Sequence, residues 1–222
     1  MVMSSLYEQF LSYLDKDDRY GCLKLVLNKI SNNEIDIVTL YDEILAPSLR
    51  ESFCRDKQRQ ICIWEEHVRT SIIRTVIECC YPYVIKERDE KYKSTPKGKV
   101  IIVCPTEELH EIGARMVADF FTLCGFDSTF VGANTPQSDI LEAIEYVKPV
   151  YIAISVSNHY NLIAAHKLVQ KIREVRASTG IEFKIIIGGY AFEQNPEMGK
   201  QMGADLLLAT FDDIRKLAQG EY

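Results

Sequence analysis

The sequence predicts an N-terminal α-helical bundle followed by an α/β domain, a doubly wound five-stranded parallel sheet of flavodoxin-like size. Three observations carry that expectation. Up to Pro82 the apolar residues recur at three- and four-residue steps, the period of amphipathic helices. From Lys86 to Lys99 the chain turns charged and unpatterned and contains Pro96 and Gly98, as linkers do. Beyond Lys99, short β-branched runs alternate with helical patterns, the signature of βα units. The boundaries expected are 1–88 for a four-helix cap bundle, 89–98 for a linker and 99–222 for the Rossmann-like domain.

In the bundle, Ser4 or Ser5 can cap a first helix bearing Leu6, Phe10, Leu11 and Leu14. Asp17 and Asp18 can cap a second, with Leu23, Val26, Leu27 and Ile30. Asp36 opens a third that carries Ile37, Leu40, Tyr41, Ile44 and Leu45, and Pro47 should bend or end it. A fourth runs from about Arg59 through Ile61, Trp64, Val68, Ile72 and Val76 until Pro82 stops it. Four helices with short connections make a small bundle.

After the linker, Val100 to Cys104 reads as a fully buried parallel strand, ended by Pro105 and followed by a helix with Ile112, Met116, Val117, Phe120, Phe121 and Leu123. Ser128–Val131 leads to a helix over 136–147, and Val150–Ser155 to a long one over 162–177. Phe183–Ile187 leads to a short helix after Phe192, and Asp205–Leu208 to a last one over 212–218.

Composition narrows the function classes. At 222 residues with 47% hydrophobic content the chain can bury a sizeable core. A net charge of −6, with no Lys/Arg cluster on one predicted face, argues against direct nucleic-acid binding. No apolar run approaches the roughly 18 residues that span a bilayer, so no membrane partner and a soluble, cytoplasmic protein are expected. Seven cysteines without any C-x-x-C pair read as reduced, mostly buried thiols, with the vicinal Cys79 and Cys80 packing on one helix.

Ligands of open α/β sheets bind beyond the carboxyl ends of the strands, so the loops there decide the function. The first βα turn, Thr106-Glu107-Glu108, lacks the glycines a dinucleotide pyrophosphate needs. Ser155-Val156-Ser157 stands where a phosphoacceptor domain would need an Asp. What the loops offer is His110 with the carboxylate of Glu108 two residues before it. Glu108 could hold one ring nitrogen and leave the other for a metal. Gly113 would admit a bulky group at the start of the helix, Ser155 and Ser157 could donate hydrogen bonds, and Gly188-Gly189 would allow a flat or extended group to pack closely.

Glu108-x-His110-x-x-Gly113, Ser155-x-Ser157 and Gly188-Gly189 together resemble the cobalamin-binding module. Methionine synthase, corrinoid methyl-carrier proteins and adenosylcobalamin-dependent light-sensing regulators share it. Gly125-Phe126 to Val131-Gly132 and Gly203-Ala204-Asp205 also look like the family, which places a four-helix cap ahead of the sheet. The resemblance implies cobalamin held base-off, its nucleotide tail buried in the sheet domain and His110 on the lower face of cobalt. The hydroxo, methyl or adenosyl form is left open. Glu108 stands where the family has Asp; its extra methylene means that the carboxylate folds back or that water intervenes.

For the upper face, helical spacing groups Trp64, His67, Val68 and Ser71. Glu66-His67 resembles the Glu-His pair of the regulatory members, and His67 is the candidate upper-face ligand. Trp64 reads either as a shield over the corrin or as bundle core. The regulatory members' Trp is replaced by Asp56, so shielding would fall to Trp64 or Phe53. His159 and Tyr190 sit where they could touch the corrin or its tail, while His166 reads as a surface residue of the long helix. The resemblance leaves three functions: a cobalamin sensor or regulatory module, favoured by Glu66-His67; a corrinoid methyl carrier serving separate methyltransferases; and an interaction protein that has lost the cofactor. No catalytic activity of its own is expected. An output protein or a methyltransferase is the expected partner, and homo-oligomers are allowed.

Overall fold

The computed structural model describes residues 2–50, 61–193 and 196–222, which form two compact units, Met1–Lys91 and Tyr92–Tyr222. In the first unit α1 (Val2–Leu14) starts ahead of both serines expected to cap it, whereas α2 (Arg19–Ser31) is capped as expected: the Asp18 carboxylate accepts from the Gly21 N–H at 2.8 Å. Asp36 caps the third helix through the Thr39 N–H at 2.7 Å. That helix is composite, with α3 (Ile37–Thr39), a π-helical Leu40–Leu45 and α4 (Ala46–Arg50). Pro47 therefore neither ends the helix nor stops its core face. Proline lacks an N–H and crowds the preceding turn, and the widened π turn just before it takes up that strain.

The last helix of the unit, α5, spans Cys62–Glu87 and contains Pro82, which does not stop it. Pro82 lies on the exposed side, and the buried stripe of Ile72, Ile73, Val76, Ile77, Cys80 and Val84 runs past it. Packing on that stripe outweighs the lost backbone bond. A π-helical turn, Arg88–Tyr92, follows. The core of the unit is built from Phe10, Leu14, Leu40, Tyr41, Ile44 and the α5 stripe. Arg69 is buried as well; its Nη1 pairs with Asp15 at 2.5 Å and its Nε donates to the Ser48 carbonyl at 3.4 Å.

Two cysteine expectations need correction. Cys62 is disulfide-bonded, while Cys22, Cys79, Cys80, Cys104 and Cys124 are in no disulfide. Sequence spacing says nothing about which sulfurs meet in space. The vicinal pair divides, Cys80 buried and Cys79 exposed, because consecutive helical residues point about 100° apart.

In the second unit β1 (Lys99–Val103), β2 (Asp127–Gly132), β3 (Tyr151–Ser155), β4 (Lys184–Gly188) and β5 (Leu206–Leu207) form one parallel sheet in the order β2-β1-β3-β4-β5. The strands alternate with α6 (Ile112–Leu123), α7 (Gln137–Val147), α8 (Leu162–Thr179), the short α9 (Glu197–Gln201) and α10 (Phe211–Gln219). Isoleucines and valines of β1, β3 and β4 are buried against helices on both faces, which is why these strands read as unbroken apolar runs. In this strand order the chain reverses direction across the sheet between β1 and β3, and the crevice there is the expected ligand site. The β1–β2 register shifts between Ile102 and Val103, so that Val103 pairs with Gly132.

Candidate functional site

β1 delivers the chain to the crevice and ends in the loop that carries Glu108 and His110. Glu108 is fully buried, yet its carboxylate is completely engaged. Oε1 accepts from the His110 N–H at 3.0 Å and from His110 Nδ1 at 2.6 Å. Oε2 accepts from the backbone N–H groups of Ser157 and Asn158, at 2.9 and 2.8 Å, in the loop after β3. Burial alone would raise the pKa of Glu108. The N–H groups of Asn158 and His110, with the Asn161 and His110 side chains, outweigh it and hold the group below the ordinary carboxylate value.

An ionised carboxylate only accepts, so Nδ1 of His110 carries the proton and Nε2 keeps its lone pair in the neutral ring. The His110 side chain is 52% exposed, and Nε2 has no protein partner among the described residues. This is the donor set a transition metal such as cobalt accepts, with its supporting carboxylate in place. The extra methylene of Glu108 is absorbed by direct contact. No intervening water is required, and the same carboxylate reaches across to the β3 loop.

Of the other expected residues, Ser157 lies against the loop, its Oγ 3.5 Å from the His110 carbonyl. Ser155 ends β3 opposite Gly188. Gly113, in the first turn of α6, has nothing within 4 Å of where a Cβ would stand. Gly188 and Gly189 are filled differently from expectation. A Cβ at Gly188 would lie 2.4 Å from the Leu208 carbonyl oxygen, and one at Gly189, where φ is +108°, 2.4 Å from that of Val156. The close approach these glycines permit is by the chain's own backbone. His159 and Tyr190 are exposed at the same edge, each opening a 3-10 turn, and His166 is exposed on α8.

In the helical unit Trp64 is 59% exposed, which excludes the bundle-core reading. Glu66 and His67 are exposed beside it on α5, whereas Glu65 is buried. Phe53 and Asp56 lie outside the described residues.

Sequence reasoning missed Asn158 and Asn161, which follow the strand-three serines and brace the Glu108 loop, and Glu111, whose Oε2 accepts from the Ala133 N–H at 2.6 Å. Asn158 was legible in principle, since its side chain caps the turn at Tyr160. Cys104, at the end of β1, is no nucleophile: burial and the charges of Glu108 and Glu111 push its thiol up to about 12. A cavity of about 490 Å³ lined by Val150, Tyr151, Arg176 and Phe183 lies at the opposite edge of the sheet, away from all these groups. No group of three metal-ligating side chains occurs among the described residues, and no helix there is long and apolar enough to cross a membrane.

The family described as the B12 binding domain matches residues 98–216. Trimethylamine corrinoid protein 1 of Methanosarcina acetivorans is 29% identical over 133 residues, 59% of this chain and 60% of the relative. The HTH-type transcriptional repressor CarA of Myxococcus xanthus is 22% identical over 188 residues, 82% of this chain and 59% of the repressor. The chain thus spans about 60% of the length of these curated relatives. The solved monomethylamine corrinoid protein of Methanosarcina barkeri has the same fold, with a TM-score of 0.78 over 99% of both chains at 14% identity.

Proposed function

This chain belongs to the B12 binding domain family and binds cobalamin, and from that premise we propose that it is a corrinoid methyl carrier serving separate methyltransferases, with His110 as the lower axial ligand of cobalt. The observation that carries the ligand assignment is the 2.6 Å contact from Nδ1 of His110 to a buried, amide-braced Glu108, which fixes the tautomer with Nε2 available. Glu108 holds the proton at Nδ1, Ser157 and Asn158 hold Glu108, and Gly113, at the start of α6, leaves open space where a Cβ would stand. Cobalt so held supplies the methyl-accepting and methyl-donating chemistry of a corrinoid. Similarity to trimethylamine corrinoid protein 1 supports the carrier reading over the regulatory one.

A regulatory role is the second reading. It is favoured by the exposure of Trp64, Glu66 and His67 on α5 and by similarity to the CarA repressor. His67 is then the upper-face group. The cofactor-free alternative, motivated by Glu108 in place of Asp and by Asp56 in place of the cap Trp, is dropped on the family match, and Glu108 supports His110 directly.

The test is a visible absorption titration of the apoprotein with hydroxo-, methyl- and adenosylcobalamin, in darkness and after illumination, for wild type and His110→Ala. Base-off, His-ligated spectra that vanish in His110→Ala are expected. Methyl transfer by a partner methyltransferase, from methylcobalamin-loaded protein to an acceptor or from a methyl donor to protein whose cobalamin has been reduced to cob(I)alamin with a chemical reductant, separates carrier from sensor. A light- or ligand-dependent change of assembly without such transfer favours the sensor. Unchanged spectra in His110→Ala sink the ligand assignment.

A further inference from the structure

We infer that Glu111 is a second positioning residue for His110, tying the ligand loop to the β2 side of the crevice as Glu108 ties it to the β3 side. The inference rests on the His110 assignment. In the sheet order β2-β1-β3 the loop after β1 is central, and its two carboxylates reach opposite neighbours. Glu108 takes the amides of Ser157 and Asn158; Glu111 takes the amide of Ala133, 22 residues away in sequence, at 2.6 Å.

The fit on the β2 side is close. A Cβ on Gly132, where φ is +89°, would lie 2.8 Å from Glu111 Oε2, so the carboxylate lies directly against that backbone. The register shift at Val103 and Gly132 comes immediately before Ala133, and such irregularities re-aim the chain at the end of a strand. Glu111 also precedes α6 and accepts the Arg115 N–H at its carbonyl, so the strap anchors the residue that follows His110 to the start of that helix. With both straps intact the His110 backbone is held from either side. Releasing one lets the ring leave cobalt without removing any group that touches the corrinoid.

The test uses the full chain loaded with cob(II)alamin, as wild type, Glu111→Gln, Glu111→Asp and Glu111→Ala. The protein is labelled with 15N-histidine, and the readout is the nitrogen superhyperfine splitting in the EPR spectrum, where a doublet reports the histidine-ligated fraction and the cofactor's own benzimidazole nitrogen gives a triplet. Reach and charge then part company. Gln keeps the acceptor at full length and loses the charge, whereas Asp keeps the charge and falls short of the Ala133 amide. We expect Glu111→Gln to resemble wild type. Glu111→Asp and Glu111→Ala should lose about tenfold in the ratio of ligated to unligated histidine, the lower end of effects seen when a supporting contact is removed. A purely structural role would lower the melting temperature and leave the splitting unchanged. Equal ligated fractions in wild type and Glu111→Asp, or a Gln variant as impaired as Asp, overturn the inference. Absence of the histidine doublet in wild type itself overturns the His110 assignment, and this inference with it.

Discussion

Replacing Glu108 by Gln isolates the proton logic of the site, because the side chain keeps its shape while two of its acceptor positions become donors. Beside the Asn161 side chain, the carboxylate meets the His110 N–H and Nδ1 on Oε1 and the Ser157 and Asn158 N–H groups on Oε2. A Gln whose carbonyl faces Ser157 and Asn158 presents its NH2 to His110. It orphans the His110 N–H, at a cost of about 1–3 kcal/mol, and forces the ring to accept at Nδ1. The proton then moves to Nε2, and the lone pair for cobalt is gone. The reverse orientation keeps the His110 contact and orphans two part-buried N–H groups, at about 1–3 kcal/mol each. The first is therefore preferred. Titrated with hydroxocobalamin, Glu108→Gln should give a spectrum like that of His110→Ala. Its affinity should fall roughly 10- to 100-fold, equivalent to about 1.4–2.7 kcal/mol. Far-UV circular dichroism and thermal melting of the apoprotein establish that the variant is folded at the titration temperature. A folded Glu108→Gln protein with the wild-type, His-ligated spectrum and an affinity within twofold would refute the reasoning.

Gly189→Ala should destabilise the apoprotein by more than about 2 kcal/mol, read as a lower urea midpoint, because φ of +108° and a Cβ 2.4 Å from the Val156 carbonyl leave no room for it. A change within about 0.5 kcal/mol would show that the β4 loop can be rebuilt. Gly113→Ala should do the opposite: with open space around its Cβ it should gain about 0.5–1 kcal/mol of helix stability, yet weaken cobalamin binding. Unchanged affinity in isothermal titration would remove Gly113 from the site. Glu87 gives a pH test in the helical unit. Oε1 accepts from the Ile37 N–H at 2.9 Å, Oε2 is buried with no hydrogen-bond partner among the described residues, and burial, with Asp36 nearby, raises its pKa above 4.5. A raised carboxyl favours the protonated folded state, so its contribution is full below 4.5 and is lost as pH rises through the folded value. Glu87→Gln should be more stable than wild type at pH 7 by roughly 1 kcal/mol, with the advantage vanishing below about pH 4 in thermal melts. A pH-independent difference would contradict this assignment.

Periodicity located the parallel strands well because they are buried on both faces, where β-branched runs have few other interpretations. It failed at Pro47 and Pro82 because local rules for proline ignore what the rest of a helix is doing. A six-residue π segment absorbs one proline, and a stripe from Ile72 to Val84 carries the helix past the other. Glu108 and His110 were legible as a pair because they are two residues apart. The contacts of Asn158 with Glu108 and of Ala133 with Glu111 were not, since each residue meets its carboxylate across more than twenty residues of sequence. Likewise Gly188-Gly189 was legible as a requirement for closeness but not as to what comes close, and the backbones of Leu208 and Val156 supply the answer.

The substitution that raised most doubt in the sequence, Glu for Asp at 108, turns on reach rather than on charge. A motif compares residue types at fixed spacing, and by that measure one methylene looks like a loss of register with His110. In the fold the carboxylate has two duties, since it must meet Nδ1 of His110 and the amides of a neighbouring strand's loop at once. A longer side chain can span those two walls while its head stays fully buried. The additional amides also offset the burial that would otherwise neutralise the group, and only an ionised Glu108 keeps the proton on Nδ1. Side-chain length, amide count and tautomer therefore act together, and the state of His110 as a ligand depends on the β3 loop as directly as on its own.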